Sequence, residues 1–395
     1  MRTAITLLLF ILINNHCFSQ TTDTSDYPNI RNQIKDQAFF LKMNPKNTNA
    51  LLKHSYYSQA IGDYQTSIKD LNTLLELTPT DYRAMNSRAV AKGAIKDYAG
   101  AIDDYNKAIE LKSDFIDAYY GRALVYAEQN ELKLALDDLT KTLELNPNFS
   151  FAINGCGDIK NKQGDFKGAI EAYSKTLTLN PNDNAALYGR AKAYYELKEF
   201  KMALADYNSL LNGDFDLRME AKYHLGKGFI LNELRNYQEA IDCFNKVLVL
   251  EPSNAKAYNN RGMSKYYLKK HKEALIDMNK AVELDPEYPQ AYNKRGDTKI
   301  VLKDYAGALA DLNKSILLDA SNSSAYSNRA VAKIQLKDLN GALNDLNKSI
   351  ELSPNEYINY QNRAVVHEQL GNKEKAKEDR KLAAEKEKNR NETKN

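Results

Sequence analysis

The chain repeats itself every 34 residues, and no other feature of it constrains the fold so tightly. A small residue recurs at Ser67, Ala101, Ala135, Ala169 and Ala203 and, after a shift of three residues, at Ala240, Ala274, Ala308, Ala342 and Ala376. Twelve residues earlier in each copy, as the first of its two small sites, stands another: Ser55, Ala89, Ala123, Gly157, Ala191, Gly228, Gly262, Gly296, Ala330 and Ala364. Seven of the nine prolines share one register too: Pro45, Pro79, Pro147, Pro181, Pro252, Pro286 and Pro354. A unit that recurs in this way buries its apolar face against its neighbours. The length of 395 residues therefore counts stacked units, not globular domains.

Two helices that pack closely need small residues where their backbones approach. The first small site belongs to a helix A and the second to a helix B. Bulky residues such as Tyr105, Leu139, Tyr173, Tyr207, Phe244 and Leu312 fall four after the second small site, on the same helical face. The phased proline ends helix B. With only 17 Gly besides, the composition fits a mostly helical chain of antiparallel helix pairs.

Stretches such as AYNNRGMSKYYLKKHKEALIDMNKAVELDP (257–286) resemble the tetratricopeptide repeat. The resemblance covers about 48–389, in units starting at residues 48, 82, 116, 150, 184, 221, 255, 289, 323 and 357. It implies an all-α fold, an α-solenoid superhelix of about ten helix-turn-helix units. The family's first aromatic is Trp, which this chain lacks entirely. Leu51, Met85, Tyr119, Ile153, Leu187, His224, Tyr258, Tyr292, Tyr326 and Tyr360 hold that site, accounting for part of the 26 Tyr.

The expected organisation is a signal peptide at 1–19 and a cap segment at 20–47, with a lone helix B over 28–45. Units one to five follow at 48–217, units six to ten with a polar C-terminal cap at 218–389, and a disordered tail at 390–395. The fifth unit lacks the proline, and Asn212-Gly213-Asp214-Phe215-Asp216 reads as a turn. That turn is either a kink between two five-unit blocks or a longer loop with stacking unbroken. From Lys373 onward come nine Lys/Arg and six Asp/Glu, a mixed-sign surface that suits solvation more than an anionic lipid or glycan.

The N-terminus carries Arg2 and then an apolar run from Ala4 to Ile13, too short to span a bilayer. Cys17 and Ser19 stand at −3 and −1 of a cleavage before Gln20. This reads as a secretory signal peptide, with a short signal anchor as the other reading. Asn14, Asn15 and His16 do not form a bacterial lipobox around Cys17. The expected location is exported, in the periplasm or outside the cell.

Helix A carries a periodic Arg: Arg88, Arg122, Arg190, Arg261, Arg295, Arg329 and Arg363. Such a row would suit an anionic polymer, but sixteen residues after each stands an acid: Asp104, Asp138, Asp206, Asp277, Asp311, Asp345 and Asp379. The two are also lost together, since Cys156 goes with Ala172 and Lys227 with Cys243. Loss in step implies seven ion pairs between the helices of one unit, partly buried, favouring one helix-pair register. His54 and Asp70 would form a weaker, pH-sensitive version. Cys156 and Cys243 belong to the fourth and sixth units, too far apart for the roughly 7 Å Cα separation of a disulfide, so both are expected as free thiols.

By resemblance, helix A lines a groove with its second, fifth, sixth, ninth, twelfth and thirteenth sites. These include Asn86, Tyr120, Asn154, Tyr188, Tyr195, Asn259, Asn260, Tyr266, Asn293, Lys294, Asn328 and Asn362. Regular amides can bond the backbone of an extended peptide, and Tyr adds rigid apolar area; the other reading is a hydrated polar surface. The carboxylate clamp of some relatives pairs Lys at site five with Asn at site nine, and no unit here does. A periodic Asn on helix B (Asn72, Asn106, Asn208, Asn245, Asn279, Asn313 and Asn347) is expected to hydrogen-bond between units. The row Lys92, Lys160, Lys265, Lys299 and Lys333 has no sequence-level account.

The formal net charge of +3 gives no global basic field for nucleic acid. Three Cys exclude a disulfide scaffold, and five His with no two close in sequence form no metal motif. No nucleophile elbow, Walker A, H-E-x-x-H or C-x-x-C motif occurs. The expected function is a non-enzymatic protein–protein interaction scaffold or assembly adaptor. It would bind partner proteins or peptides in the groove, with no cofactor, no metal, no nucleic acid, no membrane span and no small-molecule substrate. The alternative is an accessory, substrate-recruiting subunit of an exported enzyme or glycan-handling complex.

Overall fold

The computed structural model describes residues 27–213 and 217–392; the expected signal peptide and Cys17 lie outside the described residues. The described chain is an all-α solenoid of 21 helices. It divides into two compact units, Met1–Leu197 and Lys198–Asn395.

In the first unit a lone helix α1 (Tyr27–Met43) precedes four helix pairs. These are α2 (Thr48–Ala60) with α3 (Tyr64–Leu77), α4 (Tyr82–Ala94) with α5 (Tyr98–Leu111), α6 (Ile116–Glu128) with α7 (Leu132–Leu145), and α8 (Ser150–Gln163) with α9 (Phe166–Leu179). Helix α10 (Asn184–Glu196) closes this unit. The second unit begins with α11 (Phe200–Asn212) and a 3₁₀ turn at Leu217–Met219. Then come α12 (Glu220–Glu233) with α13 (Tyr237–Leu250), α14 (Ala255–Tyr267) with α15 (His271–Leu284), α16 (Pro289–Val301) with α17 (Tyr305–Leu318), α18 (Ser323–Gln335) with α19 (Leu339–Leu352), and α20 (Tyr357–Gln369) with α21 (Lys373–Glu392).

Local chemistry sets these boundaries. Asn47, Asp81, Asp183, Asn254 and Asn322 cap first helices, each accepting a backbone N–H from the first turn. The phased prolines stand two residues beyond the second helices, as Pro252 follows Leu250 and Pro286 follows Leu284. The turn inside every pair holds one residue in the left-handed region, at 62 and at each equivalent site to 371. Seven of the ten are not Gly but Lys96, Asn130, Lys198, Arg235, Lys269, Lys303 and Lys337. Residues 390–392, assigned above to the tail, are helical: nothing in that stretch breaks a helix, and Arg390 pairs with Glu356 at 3.1 Å.

The two small sites do what close packing requires. Every Ala among them from Ala89 to Ala376 is buried, and the bulky partner on helix B fills the seam. Tyr105, Tyr173, Phe244, Leu312 and Leu346 are all fully enclosed. How far each reaches depends on the sixth residue of the next first helix. Where the filler is Tyr105 or Tyr173, that residue is Gly121 or Gly189, and an added Cβ would lie 2.5 or 2.4 Å from the phenol. Where the filler is the shorter Met278, Leu312 or Leu346, the same site carries Lys294, Asn328 or Asn362. The Gly121→Ala variant is expected to lose about 1–3 kcal/mol of stability from overpacking. Tyr105→Leu in the same chain should restore much of it, and denaturant titration of the single and double variants measures both.

Candidate functional site

Six Arg–Asp pairs lock the helix pairs internally. Arg88 donates from Nε to Asp104 Oδ2 at 2.8 Å and from Nη2 to Oδ1 at 2.6 Å. The same two-pronged contact joins Arg122 to Asp138, Arg261 to Asp277, Arg295 to Asp311, Arg329 to Asp345 and Arg363 to Asp379. The hydrogen bond it donates to its acid raises the Arg122 guanidinium above its ordinary range, and Arg363 likewise. His54 Nδ1 lies 2.6 Å from Asp70 Oδ2. Arg190 and Asp206 fall in different compact units, and Arg190 Nη1 donates to Ser174 Oγ at 3.0 Å.

Two further rows, the Lys row without a sequence-level account among them, join this lattice. Lys92, Lys265, Lys299 and Lys333 place Nζ 2.8, 2.7, 2.8 and 2.8 Å from the Asp that the Arg also holds. The helix-B Asn belongs to the preceding unit. Asn72 Oδ1 accepts from Arg88 Nη1 at 2.8 Å, and Asn106, Asn245, Asn279, Asn313 and Asn347 do the same for the next Arg. Each of these Asn side chains is therefore a hydrogen bond between units. The tyrosines at the Trp site are mostly half-buried rather than core. Tyr258, Tyr292, Tyr326 and Tyr360 lie under the guanidinium three residues on, at 5.3 to 5.6 Å. Cys156 and Cys243 are free, and burial pushes both thiols up.

What this lattice leaves over lies on the face of the first helices, which touch one another along each unit. The groove residues named from sequence divide there into two sets. Asn259 and Asn293 are only 3% and 5% exposed, since site five faces the seam between units. The Asn259 amide donates weakly to Tyr288 Oη at 3.4 Å, and Asn293 Oδ1 accepts from Asn328 at 3.0 Å. Asn86, Asn154 and Tyr120 are buried in the same way. Asn260, Lys294, Asn328, Asn362 and Tyr266 are half-buried, and Tyr195 is exposed. The Asn260 amide donates to Lys256 O at 2.8 Å within its own helix, while Tyr266 Oη reaches Asp297 Oδ1 at 3.4 Å. The Tyr266 hydroxyl is pushed up to about 12 by burial and by the Asp297 carboxylate.

Two carboxylates at site nine were not singled out from sequence. Asp158 accepts from Tyr173 Oη at 2.6 Å, and Asp297 faces Tyr266. In both, removal from water raises the carboxyl above its ordinary range. The available signal was a row along helix A that is otherwise apolar or aromatic and is interrupted by Asp158, Lys192 and Asp297. Among the described residues no group of His, Cys, Asp and Glu is placed to hold a metal ion, and no helix is long and apolar enough to cross a membrane.

Models of the tetratricopeptide repeat match residues 116–149, 221–254, 255–288 and 323–356, and a TPR repeat model matches 94–130 and 157–198. No curated protein matches the sequence. Solved structures similar in fold include the APC/C hetero-tetramer Cut9-Hcn1, at 17% identity and a TM-score of 0.54. That likeness covers 80% of this chain and 63% of the other, so this chain spans under two thirds of that protein's length. A tetratricopeptide repeat protein from Parabacteroides merdae ATCC 43184 is 21% identical with a TM-score of 0.53, covering 68% of this chain and 98% of that one.

A double-mutant cycle at Arg295 and Asp311, read by denaturant unfolding, should give a coupling of about 1.5–3 kcal/mol, as charge-assisted hydrogen bonds do. His224 holds the Trp site of the sixth unit, where it is buried, and burial lowers its imidazole below the ordinary value. The unfolded chain therefore binds the proton more readily, and His224 costs stability as pH falls through its ordinary range. Melting temperatures at about pH 7 and about pH 5 should differ less for His224→Tyr, the residue the following repeats use, than for the parent chain.

Proposed function

We propose, from the premise that this chain is a tetratricopeptide-repeat protein, that it is an exported, non-enzymatic scaffold or assembly adaptor. It docks an extended segment of a partner protein along the first-helix face of its second unit. The observation that carries this reading is the division of labour among its polar side chains. The periodic Arg, Lys and Asp are consumed in holding helices together. Lys294, Asn328, Tyr266 and the 45% exposed Tyr267 stay accessible on the first-helix face. Amides, a cation and aromatic faces at regular spacing suit a peptide backbone and its side chains better than a fixed small molecule. Cleavage before Gln20 would deliver the mature chain outside the cytoplasm.

Site-specific photo-crosslinking in the exporting cell tests this reading. A photoreactive residue at Asn328 on the first-helix face is expected to capture a discrete protein partner. The same group at Leu317, 79% exposed on α17, should capture none, and the exported chain should have the intact mass of a protein beginning at Gln20. Capture from Leu317 alone, or from neither position, contradicts the docking face. A captured enzyme would favour the accessory-subunit reading.

A further inference from the structure

Site nine of the first helices runs through the second unit as Phe229, Met263, Asp297, Val331 and Val365, four apolar side chains with one carboxylate in the middle. Phe229, Met263, Asp297 and Val331 are half-buried and Val365 is exposed. Asp297 is the ninth residue of the thirteen in α16, so it sits past the middle of the helix and away from both ends.

Its situation differs from that of the acids around it. Asp277, Asp311 and Asp345 are each held by an Arg and a Lys, and Asp379 by Arg363 with His367 at 3.9 Å. Asp297 forms no ion pair with any described residue, and its one side-chain hydrogen bond there is the long one from Tyr266 Oη. Lys294, one turn back on α16, and His271, at the start of α15, face it and act on it only through space. Beside it Tyr266 stands edge-on to Tyr267 and to His271, with ring centroids 5.6 and 5.1 Å apart, and Tyr267 stacks on Tyr237 at 4.9 Å. A partly desolvated carboxylate next to an aromatic wall, within an apolar row, is complementary to a cation carried on an apolar stem. Asp158 occupies the same site in the first unit, but its carboxylate already accepts the Tyr173 hydroxyl at 2.6 Å, and Lys192 holds the next site nine.

We propose that Asp297 anchors a Lys or Arg side chain of an extended partner segment. Tyr266 packs on the alkyl stem of that side chain, and Met263 and Val331 receive the apolar residues on either side of it. The proposal rests on the docking reading above and names the chemistry that this face selects.

Selection of displayed random linear peptides on the full mature chain, and on its Asp297→Asn, Asp297→Glu and Asp158→Asn variants, tests it. Circular dichroism and melting first establish that all four chains fold alike. Peptides recovered on the parent, Asp297→Glu and Asp158→Asn chains should share one Lys or Arg flanked by apolar residues. Replacing that residue with norleucine should weaken a recovered peptide about tenfold or more on the parent chain and leave its affinity for Asp297→Asn unchanged. Recovered peptides with no shared cation, or a norleucine penalty that persists on Asp297→Asn, overturn the proposal while leaving the docking face intact. Failure to recover any peptide on the parent chain overturns both.

Discussion

The structure depends on one recurring contact, a helix-B Asp gripped by the helix-A Arg of its own unit. The acid is buried, so its charge is tolerable only because two guanidinium donors, and in four units a Lys as well, meet it within hydrogen-bond distance. The third arm of the same Arg reaches the Asn of the preceding unit, and its face rests on the Tyr one turn back. One side chain thus fixes the register inside a helix pair and binds that pair to its neighbour. Apolar packing supplies the bulk of the burial, but packing of Ala, Leu and Tyr alone tolerates sliding. A bidentate pair at a fixed offset of sixteen residues does not.

Function is what remains after this requirement is met. Charged residues make up 27% of the chain, yet the repeating charges are committed to one another. The side chains left to meet a partner sit where the repeat pattern is broken or empty. Lys294, Asn328 and Asn362 occupy site six because the fillers behind them are short, whereas the tyrosine fillers of the first unit require glycine there. The packing that closes the core therefore bears on where site six can carry a side chain, since the tyrosine fillers Tyr105, Tyr173 and Tyr207 each meet a glycine there.

Much of this was legible in the sequence because a 34-residue repeat shows each site ten times. The simultaneous loss of Arg and Asp at Cys156 and Ala172 identified the pairing before any coordinate. The role of Lys92 was not legible, and the inter-unit bond expected of Asn72 lacked its Arg partner, because each depends on which turn of a neighbouring helix lies opposite. Asn259 and Asn293 were misjudged for a related reason. A site that lines the groove by helical phase lies in the seam when adjacent first helices touch, and only the packing distance reveals that. Asp297 was overlooked because a single Asp in a helix carries no signal until its surroundings are known. The left-handed Lys in the turns was equally invisible, since Gly is the residue such a turn announces.

The central claim, that the Arg-to-Asn hydrogen bond ties neighbouring repeats into one cooperative stack, is most directly tested by native-state hydrogen exchange of the Asn279→Ala variant. Asn279 lies on α15 and serves Arg295 on α16, so the substitution cuts one seam while leaving the Arg295–Asp311 pair in place. The account predicts that amide protection falls on both sides of that seam, in α14–α15 and in α16–α17, and is unchanged in α20–α21. Protection lost only around residue 279, or nowhere, would contradict it.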